Sequence, residues 1–259
     1  MRISILGTGS SGNSIYIEDD NNKILIDAGF SGKKLKEKLE SIDRKIEEVE
    51  ALFISHEHSD HILSAGVLAR KYKIPIYICK ESYEYCACKL GKIPTELINF
   101  IEEDNLFGNL KIKAIDVSHD AIRTLAFKIE NEKDKKIGIA TDVGKTNNLL
   151  KYNFNDVNLL VLESNYDFNM LMNCSYPQDL KMRVKSNRGH LANEDSGKFI
   201  SEIYHDNLSL VYLAHISNDS NCPKLAYKTV MNELVKKGIA NLKVEAIPQG
   251  IQTKLYEIR

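Results

Sequence analysis

The chain has 259 residues, of which 43% are hydrophobic and 27% are charged, an ordinary composition for a globular protein. Its 35 basic and 36 acidic residues give a net charge of −1. This excludes a uniformly basic surface for binding nucleic acid, but not a local basic patch. No linker, charge block or repeat interrupts the pattern, so we expect one α/β domain over residues 1–259. We also expect a cytoplasmic protein without a membrane span, because there is neither a long apolar run nor a secretory signal.

The first quarter of the chain predicts short strands and one amphipathic helix. Ile3–Leu6, Ser14–Glu18 and Lys23–Asp27 are apolar runs separated by Gly, Asn and Asp. Lys33–Glu50 interleaves basic and acidic residues around regularly spaced Leu and Ile, which predicts a surface helix. Ala51–Ile54 is again an apolar strand.

The rest of the chain alternates predicted strands and helices. The predicted strands are Pro75–Ile78, Ile98–Ile101, Lys111–Val117, Leu125–Ile129, Ile137–Ala140, Leu159–Leu162, Ser209–Ala214, Lys243–Ile247 and Thr253–Glu257. The predicted helices are Ile62–Tyr72, Gln178–Val184, Glu194–Tyr204 and Pro223–Lys237. We expect Asn193 to cap the third of these helices. The 5 cysteines include no CxxC pair and are expected to be free thiols that pack as small apolar residues.

A dense group of metal-ligand residue types follows the strand Ala51–Ile54 directly. It reads His56-x-His58-x-Asp60-His61 and uses three of the 7 histidines of the chain. Imidazole and carboxylate groups bind zinc and manganese. Alternate residues of a turn point in different directions, so we expect two adjacent metal positions that need further ligands.

Three later residues could supply those ligands. His119, Asp142 and His215 each follow a predicted strand, as expected if they share one rim of the fold. Asp142 could instead be a turn or helix-cap residue, because it lies in a Thr-Asp-Val-Gly segment.

This order of motifs resembles the metallo-β-lactamase fold superfamily and its dinuclear hydrolase branch. The resemblance implies a four-layer αββα sandwich, in which two mixed sheets are flanked by helices. It also implies a cofactor of two divalent metal ions, zinc or manganese. It assigns one metal to His56, His58 and His119. It assigns the second metal to Asp60, His61 and His215, and it makes Asp142 the bridge between the two.

A narrower resemblance is to the YycJ/WalJ subgroup, which is related to the RNase J and RNase Z nucleases and associated with exonuclease action on DNA. It rests on Leu-Gly-Thr-Gly-Ser-Ser-Gly-Asn-Ser at 6–14, Ser-His-Asp-Ala at 118–121 and Gly-His-Leu-x-Asn at 189–193. The chain departs from the pattern at Ala192, where serine is expected.

The first of these segments also matches the dinucleotide fingerprint Gly-x-Gly-x-x-Gly. That fingerprint requires a following helix, whereas Ser14–Glu18 predicts a strand, so we exclude a dinucleotide site. Ser10, Ser11 and Asn13 could instead contact phosphate, and the alternative is a tight hairpin turn.

The segment Leu180–His190 is the clearest basic patch of the chain. Lys181 and Arg183 are expected to contact phosphates. The alternative is that they only lie on a solvent-exposed helix face. His190 could donate a proton or contact phosphate, or it could be a buried residue bonded to the backbone.

These observations favour a dinuclear metal-dependent phosphodiesterase, an exonuclease acting on nucleic acid, with DNA favoured over RNA. A water molecule between the two metals would attack the phosphate, and Asp60 would orient it or accept its proton. One alternative is hydrolysis of a small ester, thioester or lactone at the same site. The other is a non-catalytic, metal-stabilised scaffold that binds nucleic acid or protein. The oligomeric state is left open.

Overall fold

Residues 1–258 are described by the structure, a computed structural model, and they form two sheets of seven strands each. The strands are β1 (Arg2–Gly7), β2 (Ser14–Glu18), β3 (Lys23–Ile26), β4 (Ala51–Phe53), β5 (Ile76–Ile78), β6 (Ile98–Phe100), β7 (Asp104–Phe107), β8 (Leu110–Val117), β9 (Thr124–Glu130), β10 (Lys136–Ala140), β11 (Leu159–Glu163), β12 (Leu210–Ala214), β13 (Lys243–Ala246) and β14 (Tyr256–Glu257).

Helices cover the outer faces of both sheets. They are α1 (Gly32–Glu40), α2 (Ser59–Ile62), α3 (Ala65–Tyr72), α4 (Lys80–Leu90), α5 (Asn148–Phe154), α6 (Phe168–Asn173), α7 (Gln178–Val184), α8 (Asn193–Ile203) and α9 (Pro223–Lys236). Short 3₁₀ turns occur at Ile46–Glu48 and Thr95–Leu97. Within the described residues, no helix has the length and apolarity that crossing a membrane requires.

Each sheet combines an antiparallel part with a parallel part. The first sheet has the order β14-β1-β2-β3-β4-β5-β6 and is parallel from β3 to β6. The second has the order β13-β12-β11-β10-β9-β8-β7 and is parallel from β10 to β13. Two mixed sheets flanked by helices are the architecture that the resemblance implied, so the αββα prediction is confirmed.

The central strands are buried on both faces, which explains their continuous apolar sequence. In β12, Leu210, Tyr212 and Ala214 pack between the two sheets. The alternating Val211 and Leu213 pack against the helices outside the second sheet. A separate apolar layer lies between the first sheet and α1, α3 and α4. The strand ends are therefore held by a core on each side.

Several predicted helix boundaries were wrong. The helix expected over Lys33–Glu50 ends at Glu40, because the chain turns back and Asp43 adopts a left-handed φ of 57°. The helix expected over Ile62–Tyr72 is divided between α2 and α3. Four elements, α4, α5, α6 and β7, were not predicted, because their apolar patterns are short or weak.

Asn193 does not cap α8 as expected. It is the first residue of the helix, and its buried side-chain oxygen accepts hydrogen bonds from Ser164 and Asn221 instead. The expectation that all cysteines pack in the core was also wrong in part, because Cys88 and Cys222 are exposed. Both lie on or beside helices, where one face meets solvent.

Gly29 lies at the point where three chain segments meet. Its amide donates to the Asn13 carbonyl at 2.9 Å, and the Asn13 amide donates to the Asp60 carbonyl at 2.8 Å. A Cβ atom at position 29 would lie 1.6 Å from the Asp60 carbonyl oxygen. The approach of these backbones therefore requires glycine.

We expect Gly29→Ala to lower the free energy of unfolding by about 3 kcal/mol, because the added methyl forces backbone segments apart. Gly32→Ala is the matched control, because the nearest atom to its Cβ would be 3.6 Å away. That variant should match the wild type or gain about 0.5 kcal/mol. Urea denaturation measures both, and equal stabilities would contradict this account of Gly29.

Candidate metal centre

Strand ends of both sheets place polar side chains around one space between the sheets. The loop after β4 carries the His56–His61 motif, and single residues follow β8, β10 and β12. All seven ligands suggested by the sequence lie in this space. They are His56, His58, Asp60, His61, His119, Asp142 and His215.

Three residues at this edge have an unusual backbone conformation. Asp27, Asp142 and His215 adopt left-handed φ angles of 62°, 58° and 54°. Non-glycine residues are rarely found there, and such strain is concentrated at functional sites. For Asp142, this conformation turns the side chain of a strand-end residue into the buried centre.

The first group of potential ligands is His56, His58 and His119, whose ligand atoms all lie within 4.8 Å of one another. The Nδ1 atom of His119 contacts the Gly189 carbonyl at 2.9 Å, and Nδ1 of His56 contacts the Ser55 hydroxyl at 3.0 Å. These contacts orient both rings so that Nε2 faces the other histidines.

The second group is Asp60, His61 and His215, again within 4.8 Å of one another. Nδ1 of His61 lies 2.7 Å from an Asp27 oxygen, and Nδ1 of His215 lies 2.8 Å from a Glu163 oxygen. A carboxylate behind each imidazole fixes its tautomer and strengthens Nε2 as a metal ligand.

Asp142 lies between the two groups. Its Oδ1 atom is 3.7 Å from Nε2 of His119 and 3.5 Å from Nε2 of His215. Its Oδ2 atom is 3.1 Å from Nε2 of His61. The turn or helix-cap alternative for Asp142 does not account for a carboxylate that is 2% exposed and faces three imidazoles.

The donor atoms fit bound cations. His56 Nε2 and His215 Nε2 are buried and have no hydrogen-bond partner in the described part of the chain. Leaving such atoms unsatisfied is costly, and a divalent cation satisfies nitrogen and carboxylate oxygen together. The centre is therefore suited to divalent metal.

The electrostatics of the centre also require a positive charge. Burial disfavours the charged form of His61, yet the carboxylates of Asp27 and Asp142 hold the pKa of His61 well above its ordinary value. Burial alone would raise the pKa of Asp142, but His215 and His61 hold that pKa well below its ordinary value. For His56, burial and the charge of His61 lower the pKa strongly. A metal ion can take the place of these compensating protons.

Asp27 and Glu163, the two carboxylates that support the histidines, were not predicted from the sequence. Each directly follows or ends an apolar strand, β3 and β11 respectively. A position at the end of a strand is what identified His119, Asp142 and His215. The same criterion would have identified Asp27 and Glu163. Glu163 also accepts hydrogen bonds from the amides of Val143 and Leu191.

His190 lies beside the centre. Its Nδ1 atom is 2.8 Å from Glu163 and 3.8 Å from Asp142. Burial lowers its pKa, but the charge of Glu163 outweighs burial and raises the pKa to about 9. The side chain of His190 therefore pairs with a carboxylate and not with a backbone group, which was the alternative.

A cleft opens from the centre past His190 and His215. Its walls include Ser10, Leu180, Asp219 and Gln249. The Ser10 hydroxyl accepts a hydrogen bond from Gln249 Nε2 at 3.0 Å, which links the N-terminal loop to the C-terminal segment. This cleft leads from the surface to the potential ligands.

The N-terminal loop has mixed exposure. Ser10 and Ser11 are exposed, whereas Asn13 is buried. The Asn13 side chain accepts from the Gly9 amide at 2.8 Å and donates to Asp60 Oδ2 at 3.3 Å, so it holds the loop against the centre. As expected, β2 and not a helix follows this loop.

The two basic residues singled out in the patch are held by protein groups. Lys181 Nζ donates to the Met172 carbonyl at 2.9 Å. Arg183 pairs with Asp120, whose other oxygen lies 3.1 Å from Nε2 of His119. The expected phosphate contacts of both residues thus compete with internal partners.

Residues 7–116 match the metallo-beta-lactamase superfamily. Exodeoxyribonuclease YycJ of Bacillus anthracis is 35% identical over 240 residues, which cover 92% of this chain and 90% of the relative. The chain belongs to the metallo-beta-lactamase superfamily. Exodeoxyribonuclease WalJ of Streptococcus pneumoniae is also 35% identical, over 99% of this chain and 93% of the relative.

A solved structure of the same fold is similar over nearly its whole length. The metallo-beta-lactamase fold protein YhfI from Bacillus subtilis has a TM-score of 0.71 and 16% identity, and covers 97% of this chain and 98% of that one. Membership of the superfamily and the relatives' names identify the chain as a metal-dependent hydrolase.

We expect Asp27→Asn to weaken metal binding by about 10- to 100-fold, because the charge behind His61 is lost while the shape is kept. Asp116→Asn is the matched control, since this exposed carboxylate pairs with Arg123 on the surface. Competition with a chromophoric chelator measures both affinities. Equal affinities would contradict the supporting role of Asp27.

Proposed function

We propose that the chain is a dinuclear metal-dependent exodeoxyribonuclease. The observation that carries the proposal is that two groups of potential ligands face each other across the carboxylate of Asp142. His56, His58 and His119 would hold one ion, with Asp142 shared between this ion and the other. Zinc and manganese both suit a set of imidazole and carboxylate donors.

The second ion would be held by Asp60, His61 and His215. Two divalent ions held by these residues would activate a water molecule and stabilise the charge of a phosphodiester under attack. A single-metal site would need only one of the two groups, whereas the chain has both.

DNA is the proposed substrate because of the relatives. Two proteins named exodeoxyribonucleases align with nearly the whole chain at 35% identity. Fold alone does not determine the substrate of a hydrolase, so this similarity and not the architecture supports DNA.

Asp60 is proposed to orient the attacking water and accept its proton. Its side chain is 25% exposed, so it reaches the edge of the centre. The hydrogen bond from Asn13 and the 3.6 Å contact with His61 Nε2 hold it in place. Asn13 thus acts by positioning Asp60.

His190 is proposed to contact the phosphate from the cleft. Glu163 engages its Nδ1 atom, which leaves Nε2 as the nitrogen available to the cleft that it lines. Ser10 lies across the same cleft and can donate its hydroxyl to another phosphate oxygen.

We expect protein stripped of metal to be inactive, and activity to return with Mn²⁺ or Zn²⁺. The substrates are single- and double-stranded DNA labelled at the 5′ or 3′ end, with RNA and a small thioester in parallel. Progressive release of nucleotides from one end supports the proposal and gives the polarity. Thioester turnover without DNA cleavage would overturn the proposed substrate.

Metal analysis of the reloaded protein should give about two ions per chain, as a dinuclear site requires. His58→Ala should lower that stoichiometry and abolish cleavage. One ion per chain in the fully active wild type would contradict the dinuclear assignment while leaving the nuclease assignment intact.

We expect Asp60→Asn to lower kcat for DNA cleavage by about 10²- to 10⁴-fold, because proton transfer from the water is lost. The melting temperature should change little, since the amide fits the same space. Asp116→Asn serves as the control. Full activity of Asp60→Asn would refute the proposed role.

A further inference from the structure

The segment Val184–Leu191 separates two concave surfaces. The cleft with Ser10 and His190 lies on one side. On the other side is a second pocket, which we call the lysine pocket. The residues of the lysine pocket on which the inference depends are Lys145, Lys151, Tyr166, Lys185, Asn187 and Lys198.

The lysine pocket is positively charged. Four lysines line it together with two carboxylates, Asp195 and Glu202. The carboxylates pair with Lys198 at 3.0 Å and with Lys151 at 2.6 Å. Lys145 and Lys185 are exposed and form no ion pair within residues 1–258. The pocket therefore has two ammonium groups available to an anion.

A tyrosine also lines the lysine pocket. Tyr166 is only 6% exposed as a residue, so packing fixes the position of its ring. Its hydroxyl is not one of the fully buried polar atoms that lack a partner, so it is open to the pocket. It can therefore donate a hydrogen bond to an anion bound there.

The lysine pocket is built on the loops that hold the metal centre. The Gly144 amide donates to the Ser118 carbonyl at 2.7 Å, next to His119. A Cβ atom on Gly144 would lie 2.3 Å from the Asn187 carbonyl, so the two loops touch directly. Lys145 follows Asp142 by three residues and lies within about 11 Å of it.

We propose that the lysine pocket binds a backbone phosphate of the nucleic acid at a nucleotide other than the one being cleaved. The inference rests on the proposed function. Since Lys145 lies within about 11 Å of Asp142 along the backbone, the bound phosphate belongs to a nucleotide close to the scissile bond. Lys145 and Lys185 supply charge, and Tyr166 and Asn187 donate hydrogen bonds.

The test is the affinity for a 20-nucleotide single-stranded DNA as a function of salt, measured on metal-loaded proteins that all, the wild-type reference included, also carry Asp60→Asn to suppress cleavage. The Lys145→Glu/Lys185→Glu variant should bind at least tenfold more weakly than wild type. The slope of log affinity against log salt should fall by about 0.7, the contribution of the one phosphate contact that is lost.

The matched control is Lys92→Glu/Lys254→Glu, which makes the same charge change at two exposed lysines outside the lysine pocket. It should bind DNA as the wild type does. Equal weakening by the two double variants would overturn the proposal, because the effect would then follow from net charge alone.

Tyr166→Phe tests the lysine pocket without changing charge or volume appreciably. It should weaken binding of the 20-mer by about tenfold, as for loss of a hydrogen bond to a charged group. Wild-type affinity in this variant would overturn the role of Tyr166. Thermal unfolding shows whether the charge-reversal variant is folded. If it is not, Tyr166→Phe still tests the lysine pocket.

Two further ligands distinguish a strand from a free phosphate compound. Inorganic phosphate and a dinucleotide should bind at least tenfold more weakly than the 20-mer, because they cannot occupy the centre and the lysine pocket together. Equal affinities would overturn the assignment to a strand. A wild-type protein that neither binds nor cleaves DNA would instead refute the proposed function itself.

Discussion

The centre depends on the compensation of buried negative charge. Asp27, Asp142 and Glu163 are buried carboxylates, and each faces an imidazole within about hydrogen-bonding distance. An isolated buried charge is very costly, so these groups are stable only with protons or cations between them. The same requirement that shifts the pKa values of His61 and Asp142 makes the site suitable for divalent metal.

The two sheets make this arrangement possible. Parallel strands direct their carboxyl ends to one edge, and a core on each face holds the strand ends in place. The loops then leave the strands abruptly, with left-handed backbone at Asp27, Asp142 and His215. The energetic cost of this backbone strain is offset by the packing of the strands behind these residues. A rigid scaffold thus presents the ligand atoms with little freedom.

The segment around His190 connects the centre to its surroundings. Gly189 holds the His119 ring through its carbonyl, His190 shares Glu163 with His215, and Asn187 contacts the loop of Asp142. The cleft and the lysine pocket lie on opposite sides of this segment. Under the proposed function, a polynucleotide that reaches both would be held at the reacting phosphate and at a neighbouring one, which a small ester cannot do.

Local sequence determined the residue types of the centre and the fold class. The dense His56–His61 motif and the strand-end positions of His119, Asp142 and His215 can be read within a few residues, because hydrophobic periodicity marks where strands end. Tertiary structure alone decided that Asp27 and Glu163 support the histidines and that Lys181 and Arg183 have internal partners. It also decided that Lys145 and Lys185 share a pocket. These hydrogen bonds and pockets form between segments that are distant in the sequence. A local sequence pattern does not show which distant segments come into contact.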